Sequence, residues 1–339
     1  DILRAAGAYL YDARGQRYVD PEADVWCAAL GHSHPRVTQA IQRQAAQIMH
    51  VGLHYAHEGV KTAAVAVLDS LDMPDGRCVF LSSGSEAVEF GVQVARRTTG
   101  RLLLALSDAY LAAYGSAGCQ DPDEWQRFDW RSCLACPHRE RCDPTCPHFQ
   151  TIPFERVGAF VFEPGSSSGL VRFPPRPVVR TLARLVQAQG GWVVVDEVTT
   201  GMGRTGAWYG LEHYGLQADV VALGKGLGNG YPVSAVALRP EVAQQLSAGG
   251  FHYAQSHQND PLACAVAQTV IATIQEEGLV ARSRRVGADF LRALDGLSAR
   301  HACVQEARGR GLMLALQFED VGTRHWTRSL TRCWKAGSW

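Results

Sequence analysis

The chain has 339 residues, 46% of them hydrophobic and 19% charged, with 33 acidic and 33 basic side chains and hence no formal net charge. A chain of this length buries a large core and suits one large domain accompanied by a smaller one. The neutral balance, without a Lys/Arg block, argues against a nucleic-acid or anionic-membrane surface, and no apolar run approaches the roughly 20 residues of a membrane span. No signal peptide is visible. Because the first residue is Asp1 and not Met, the natural N-terminus is expected upstream. Five of the ten cysteines crowd between Cys119 and Cys146. That asymmetry disfavours a secreted disulfide scaffold and predicts a reduced, cytoplasmic setting with one local metal site.

In chain order, Gly7–Asp12 and Gly15–Asp20 read as a hairpin or meander. Trp26 leads to Gly31-His32-Ser33-His34-Pro35, where two histidines beside Gly and Pro read as loop hydrogen-bonders. Val37–Ile48 has amphipathic helical spacing. Phe80–Ala87 runs into a helix over Val88–Arg97, and Ser83-x-x-Glu86 is a capping-box pattern. A helix start presents free N–H groups and the positive dipole end, ready for a phosphate. Arg101–Leu106 reads as a buried strand. Val157–Phe162 is another, ending at Glu163, and Val178–Gln189 is a helix.

Trp192–Val195 suits a buried strand by its length and β-branched content, and it ends abruptly in Asp196 and Glu197. A turn-rich link leads to Asp219–Leu223, then to Lys225 between glycines. Tyr231–Leu238 and Gly309–Gln317 read as further strands, and 262–276 and 280–298 as helices. The alternation of strands and helices from 79 to 240 predicts a mainly parallel sheet covered on both faces.

Lys225 is followed by Gly226 where a phosphate-binding Walker loop needs Ser or Thr, so that reading fails. An acid and a lysine at neighbouring strand ends fit pyridoxal 5′-phosphate (PLP) chemistry instead. The lysine forms a Schiff base, and the carboxylate keeps the pyridine nitrogen protonated.

Asp196-Glu-Val-Thr-Thr-Gly-Met-Gly-Arg-Thr-Gly206, Glu212-His-Tyr-Gly215 and Leu223-Gly-Lys-Gly-Leu-Gly-Asn-Gly-Tyr-Pro232 together resemble the class III (subgroup II) PLP-dependent aminotransferases, and the 29-residue step from Asp196 to Lys225 matches them too. The resemblance covers about residues 1–318. It implies the type I PLP fold: an α/β architecture with a mainly parallel central sheet, helices on both faces and a smaller α+β domain. It implies a homodimer with shared sites, in which Lys225 and Asp196 are catalytic. Gly84, Ser85 and the partner's hydroxyl at Ser256 are expected on the cofactor phosphate, Tyr110 and Val198 on the two ring faces, and Glu163 as a support. Trp26 is expected near the substrate. Arg204 is expected as a structural support of the site, with simple pairing to a nearby acid as the alternative. Leu111 and Ala112 depart from the family pattern beside Tyr110, and Ser168 stands where many members carry a substrate-switching glutamate.

The segment Cys133-Leu-Ala-Cys136-Pro-His-Arg-Glu-Arg-Cys142-Asp-Pro-Thr-Cys146 has C-x2-C-x5-C-x3-C spacing. Four thiolates so close in sequence can close on one centre with little loop entropy. The compact run and the prolines directly after Cys136 and Cys146 favour a [4Fe-4S] cluster over Zn²⁺. His138, His148 and Cys119 are spare ligand candidates.

The expected organisation is an N-terminal segment of the small domain (1–45) and a large PLP-binding domain (46–250) with the Cys-rich insertion at about 119–150. A dimer-contact segment and an incomplete small domain (251–339) follow. The expected activity is transfer of an amino group from an amine or amino acid donor to an oxo-acid or aldehyde acceptor. The alternatives are a racemase, aminomutase or lyase on the same scaffold, or a non-catalytic metal-cluster sensor. The sequence does not identify donor or acceptor.

Overall fold

The computed structural model describes residues 1–52, 54–136, 142–168 and 171–319. His138 and the segment from 320 to Trp339 lie outside them. The chain opens with β1 (Ile2–Ala6), β2 (Tyr9–Asp12) and β3 (Arg17–Val19), the expected antiparallel meander. The predicted amphipathic helix follows at Pro35–Gln47, with proline in its first turn, where a missing N–H costs nothing.

The large sheet contains β4 (Arg77–Leu81), β5 (Leu102–Leu106), β6 (Trp125–Phe128), β7 (Val157–Phe162), β8 (Trp192–Asp196), β9 (Val220–Leu223) and β10 (Ser234–Leu238). Its spatial order is β4-β10-β9-β8-β7-β5-β6. The pairs among β6, β5, β7, β8 and β9 are parallel, while β10 runs against both β9 and β4. The sheet is therefore mixed but mostly parallel, as expected of this α/β scaffold.

Period-2 alternation sorts the strand residues into two cores. Leu103, Ala105, Val161, Val194, Val220 and Ala222 face the helix Gly84–Thr99. Leu104, Phe160, Val193, Val195 and Leu223 face the other way, toward Arg176–Ala188 and Pro261–Glu276. Because both faces are covered, the strands read as continuous apolar runs.

One expected strand proves to be two. Gly309–Gln317 is split between β11 (Val304–Arg310) and β12 (Met313–Phe318), an antiparallel hairpin turning at Gly311. Gly311 has φ +54°, and a Cβ there would lie 2.4 Å from the Gly206 nitrogen, so the turn needs glycine for both conformation and space. The helices Glu58–Ser70 and Pro240–Ala248 and the edge strand β6 are elements the sequence reading left out. No helix among the described residues is long and apolar enough to cross a membrane.

Candidate active site

Since β10 alone is reversed, the carboxyl ends of β4, β5, β7, β8 and β9 share one edge of the sheet. In open α/β sheets that edge is where ligands bind. Ser83-Gly84, Ser107–Tyr110, Glu163, Asp196 and Lys225 all follow or finish these strands.

The helix Gly84–Thr99 begins as expected. The Ser83 hydroxyl accepts the Glu86 N–H at 3.2 Å, while the Glu86 carboxylate takes the N–H of Ser82 at 2.9 Å, one residue earlier than a capping box would have it. A Cβ on Gly84 would meet Val198 Cγ1 at 2.5 Å, and one on Gly224 would meet Gly84 Cα at 3.2 Å and Val198 Cγ1 at 3.3 Å. Gly84, Val198 and the residue before Lys225 are thus in mutual contact, and only glycines leave the helix start open. Ser85 is less free than expected, because its Oγ accepts the Ala113 N–H at 3.0 Å.

Lys225 has φ +41°, a left-handed conformation of a kind that costs a non-glycine residue of order 1–3 kcal/mol and that clusters at functional sites. Its Nζ donates to Thr199 Oγ1 at 2.8 Å. Thr199 was not singled out from sequence, although it lies inside the matching motif. Asp196 is buried and accepts the Val198 N–H at Oδ1, 2.9 Å away, which leaves Oδ2 without a hydrogen bond among the described residues. Burial raises its pKa, against the pull of the Val198 N–H and the Lys225 charge.

Glu163 is also buried, and its two oxygens accept the N–H groups of Tyr110 (3.0 Å) and Ser167 (2.9 Å). Burial, then the nearby Asp196 charge, raises its pKa. Tyr110 is 48% exposed, so its ring is free to cover a ligand. A third buried acid, Glu197, is spent on structure: it accepts Thr200 Oγ1 and the Gly210 and Leu211 N–H groups at 2.6–2.8 Å. Burial pushes its pKa up to about 7.

Around this centre stand residues from the N-terminal segment. Of the two readings of Arg204 the acid pair is not the one seen: its guanidinium donates to the Trp26 carbonyl at 2.7 Å, with no ion pair among the described residues, and burial lowers its pKa to about 10. The adjacent Cys27 thiol, raised by burial, is close enough to Lys225 and Arg204 for their charges to lower it. His32 bonds Asp20 at 2.7 Å, as a loop histidine should. Beside Tyr110, Ser107, Asp108, Arg131, Ser168 and Arg172 line a cleft of about 410 Å³. Arg131 is taken by Asp129, but the Arg172 guanidinium has no partner among the described residues.

Ser256 is not brought to this centre within the chain. It lies exposed on the segment before Pro261–Glu276 and makes no hydrogen bond to the other site residues. That segment is tied to β4, where Phe80 and Asn259 exchange hydrogen bonds of 2.9 and 3.0 Å.

The four cysteines are free thiols, Cys133 buried and Cys136, Cys142 and Cys146 half-buried. No three of them lie within 4.8 Å of one another. Among the described residues only His50, His257 and Asp260 group that tightly, through hydrogen bonds of 2.5 and 2.7 Å.

A glycine-framed lysine, a buried acid with one open oxygen and a helix start meet at the carboxyl edge of this sheet, on the α/β scaffold of the type I PLP fold. The Aminotransferase class-III family profile matches residues 1–109 and 140–338. The acetylornithine aminotransferase of Methanopyrus kandleri is 31% identical over 332 residues, covering 94% of this chain and 81% of that protein. Among solved structures, an amine transaminase from an uncultivated Pseudomonas species in its PLP-bound form aligns with TM-score 0.83 and 26% identity, over 94% of this chain and 80% of that one. A Bacillus anthracis aminotransferase aligns with TM-score 0.90 at 22% identity, over 99% and 83%, which supports the fold. The chain belongs to the class III aminotransferases, PLP-dependent transaminases that use amine or amino acid donors and oxo-acid acceptors.

Proposed function

We propose that Lys225 and Asp196 are the catalytic pair of this transaminase, and that the donor is a primary amine or amino acid and the acceptor an oxo acid. One observation carries the reading. Lys225 Nζ, held by Thr199 at 2.8 Å, shares its surroundings with a buried Asp196 carboxylate that senses its charge. PLP, when bound, supplies an electron sink at the carbon bearing the donor nitrogen. The residues present fit it, since a Cβ at Gly84 or Gly224 would fill the cradle and Asp196 Oδ2 is open to a ring N–H.

In this reading Lys225 Nζ holds the cofactor and then moves the proton at the donor carbon as general base and acid, with Thr199 orienting it. Asp196 stabilises a cation at the ring nitrogen, which is favourable for a charge kept from water. Gly84 and Ser85 offer helix N-terminal N–H groups to the phosphate. Ser256 of the partner subunit would add its hydroxyl, so the working unit is a homodimer. Val198 and Tyr110 would hold the cofactor ring between them, and Glu163 holds the Tyr110 backbone. The open Arg172 guanidinium is suited to an acceptor carboxylate.

The test is borohydride trapping followed by peptide mapping. The PLP-loaded enzyme should gain a pyridoxyl mass on Lys225, and Lys225→Ala should gain none while keeping its circular dichroism. With an amine donor and no acceptor, stoichiometric pyridoxamine phosphate should form. Turnover by Lys225→Ala, or a label elsewhere, would remove Lys225 from the mechanism. Absence of pyridoxamine phosphate across a broad donor panel would favour a racemase or lyase reaction. Arg172→Ala should raise the KM for the oxo acid more than it lowers kcat.

A further inference from the structure

The family profile passes over residues 110–139. Cys133 and Cys136 lie inside that gap, with Cys142 and Cys146 just beyond it. The chain around them is folded to bring the thiols together. Asp129 starts a short 3₁₀ turn, Trp130–Ala135, by accepting the Arg131 N–H at 3.0 Å. Cys133 is on that turn, and the Cys136 N–H reaches back to its carbonyl at 3.2 Å, so the C-x2-C is a tight loop. From the other side, the Asp143 carboxylate accepts the N–H and hydroxyl of Thr145 at 2.8 and 2.9 Å, and the Cys146 N–H bonds the Asp143 carbonyl at 3.0 Å. Cys142 is fixed through its carbonyl by Thr181 Oγ1 at 3.3 Å.

Cys133, Cys142 and Cys146 all pack on one apolar cluster with Trp130, Phe149 and Ile152. Cys133, Cys136 and Cys146 each lie close enough to Cys142 to interact with it electrostatically, so the four thiols share one neighbourhood. Four cysteine sulfurs from one short, turn-rich run are a donor set suited to a soft metal centre.

We propose that Cys133, Cys136, Cys142 and Cys146 form a tetrathiolate metal centre that positions the Tyr110 wall of the active site. The described spacing favours a polynuclear iron–sulfur cluster. The compact C-x2-C-x5-C-x3-C run, with prolines directly after Cys136 and Cys146, is of the kind that ferredoxin-type clusters use. The route to the site is short. The Trp130 indole N–H donates to Asp108 Oδ1 at 2.8 Å, and the Asp108 carbonyl accepts Ser168 Oγ at 3.2 Å. Tyr110 follows two residues on and is itself held by Glu163. On the far side, Thr181 belongs to the helix Arg176–Ala188, which packs on β7 and β8, the strands leading to Glu163 and Asp196. The four cysteines are thus positioning residues, and their effect on catalysis rests on the role proposed above for Tyr110.

The test is metal and sulfide analysis of the full chain purified under argon, with visible absorption, for wild type, Cys136→Ser, Cys142→Ser and the control Cys303→Ser. Wild type and Cys303→Ser should carry iron with equimolar acid-labile sulfide, or bind zinc; either supports the centre and the two analyses separate them. Both site variants should lose the metal and bind PLP several-fold more weakly while still trapping it on Lys225. In wild type, all four cysteines should resist iodoacetamide until the metal is removed, a readout that survives if the variants fail to fold. Metal-free protein that takes up neither iron with sulfide nor zinc under reducing conditions would overturn the proposal. So would metal retained in both variants, or disulfides among the four. Trapping at Lys225 reports on the aminotransferase mechanism separately from all of these.

Discussion

Asp196 and Lys225 stand at the ends of β8 and β9 in the middle of a seven-stranded sheet, whereas Cys133, Cys136, Cys142 and Cys146 stand on short turns beside it. The first pair is held by buried strands whose apolar side chains each belong to one of two cores. The second group has one fully buried member and hydrogen bonds that are almost all local. A sheet edge packed in this way can therefore keep a strained lysine at φ +41° and two buried acids in place. The turns around the cysteines pack on one of these same cores through Trp130, Cys133, Phe149 and Ile152, but no strand ladder fixes them. The proposed metal would cross-link the turns where hydrogen bonding between strands does not.

The comparison is broken most sharply at Asp196. Asp196→Asn leaves a group of the same size and keeps the oxygen for the Val198 N–H, yet removes the buried charge. By analogy with loss of one preorganised electrostatic partner, kcat should fall by about 100-fold or more. Iron or zinc content should not change. Steady-state rates and elemental analysis on one preparation decide it. Near-wild-type turnover would mean that Asp196 is only a cap for the turn at Val198.

Next in size is Gly84→Ala. Alanine is the better helix former by about 1 kcal/mol, but its Cβ would fall 2.5 Å from Val198 Cγ1. Overpacking of this kind costs about 1–3 kcal/mol. Because Val198 is the proposed ring contact, PLP affinity should fall along with the melting temperature. Stability lost with PLP affinity intact would separate the helix start from the cofactor cradle.

How much of this was legible in the sequence follows from the same contrast. The strands around Asp196 and Lys225 were readable because period-2 burial on both faces leaves uninterrupted Val/Leu/Ala runs. The glycines there were readable because close approach admits nothing else. The hairpin at Gly311 was not, since an unbroken apolar run hides a turn whose requirement comes from Gly206 across space. Nor was the Arg204–Trp26 contact, in which a backbone carbonyl stands in place of a carboxylate. Thr199 lay inside a recognised motif, but a threonine beside a lysine carries no signal until the chain folds. The cysteine spacing was plain, and its elements were not: 3₁₀ turns and four-residue helices leave no periodicity to read.

The smallest expected effect concerns Glu163, where charge and hydrogen bonding act in opposite directions. Its two oxygens each accept one backbone N–H, so Glu163→Gln trades an acceptor for a donor and leaves one buried N–H unpaired, a loss of about 1–3 kcal/mol. That loss is the same at every pH. The wild-type carboxyl, however, has a raised pKa in the folded protein, so the native state binds a proton that the unfolded chain gives up near pH 4. Its contribution to stability is fully present below about pH 4 and declines as the pH rises through neutrality. In cofactor-free protein the stability advantage of wild type over Glu163→Gln should therefore be largest at pH 5 and shrink toward pH 9. Urea midpoints across that range measure it. An advantage that grew with pH would mean that the carboxylate is stabilised by a cation, which would place a positive group beside Glu163 and move the site's charge balance away from Asp196.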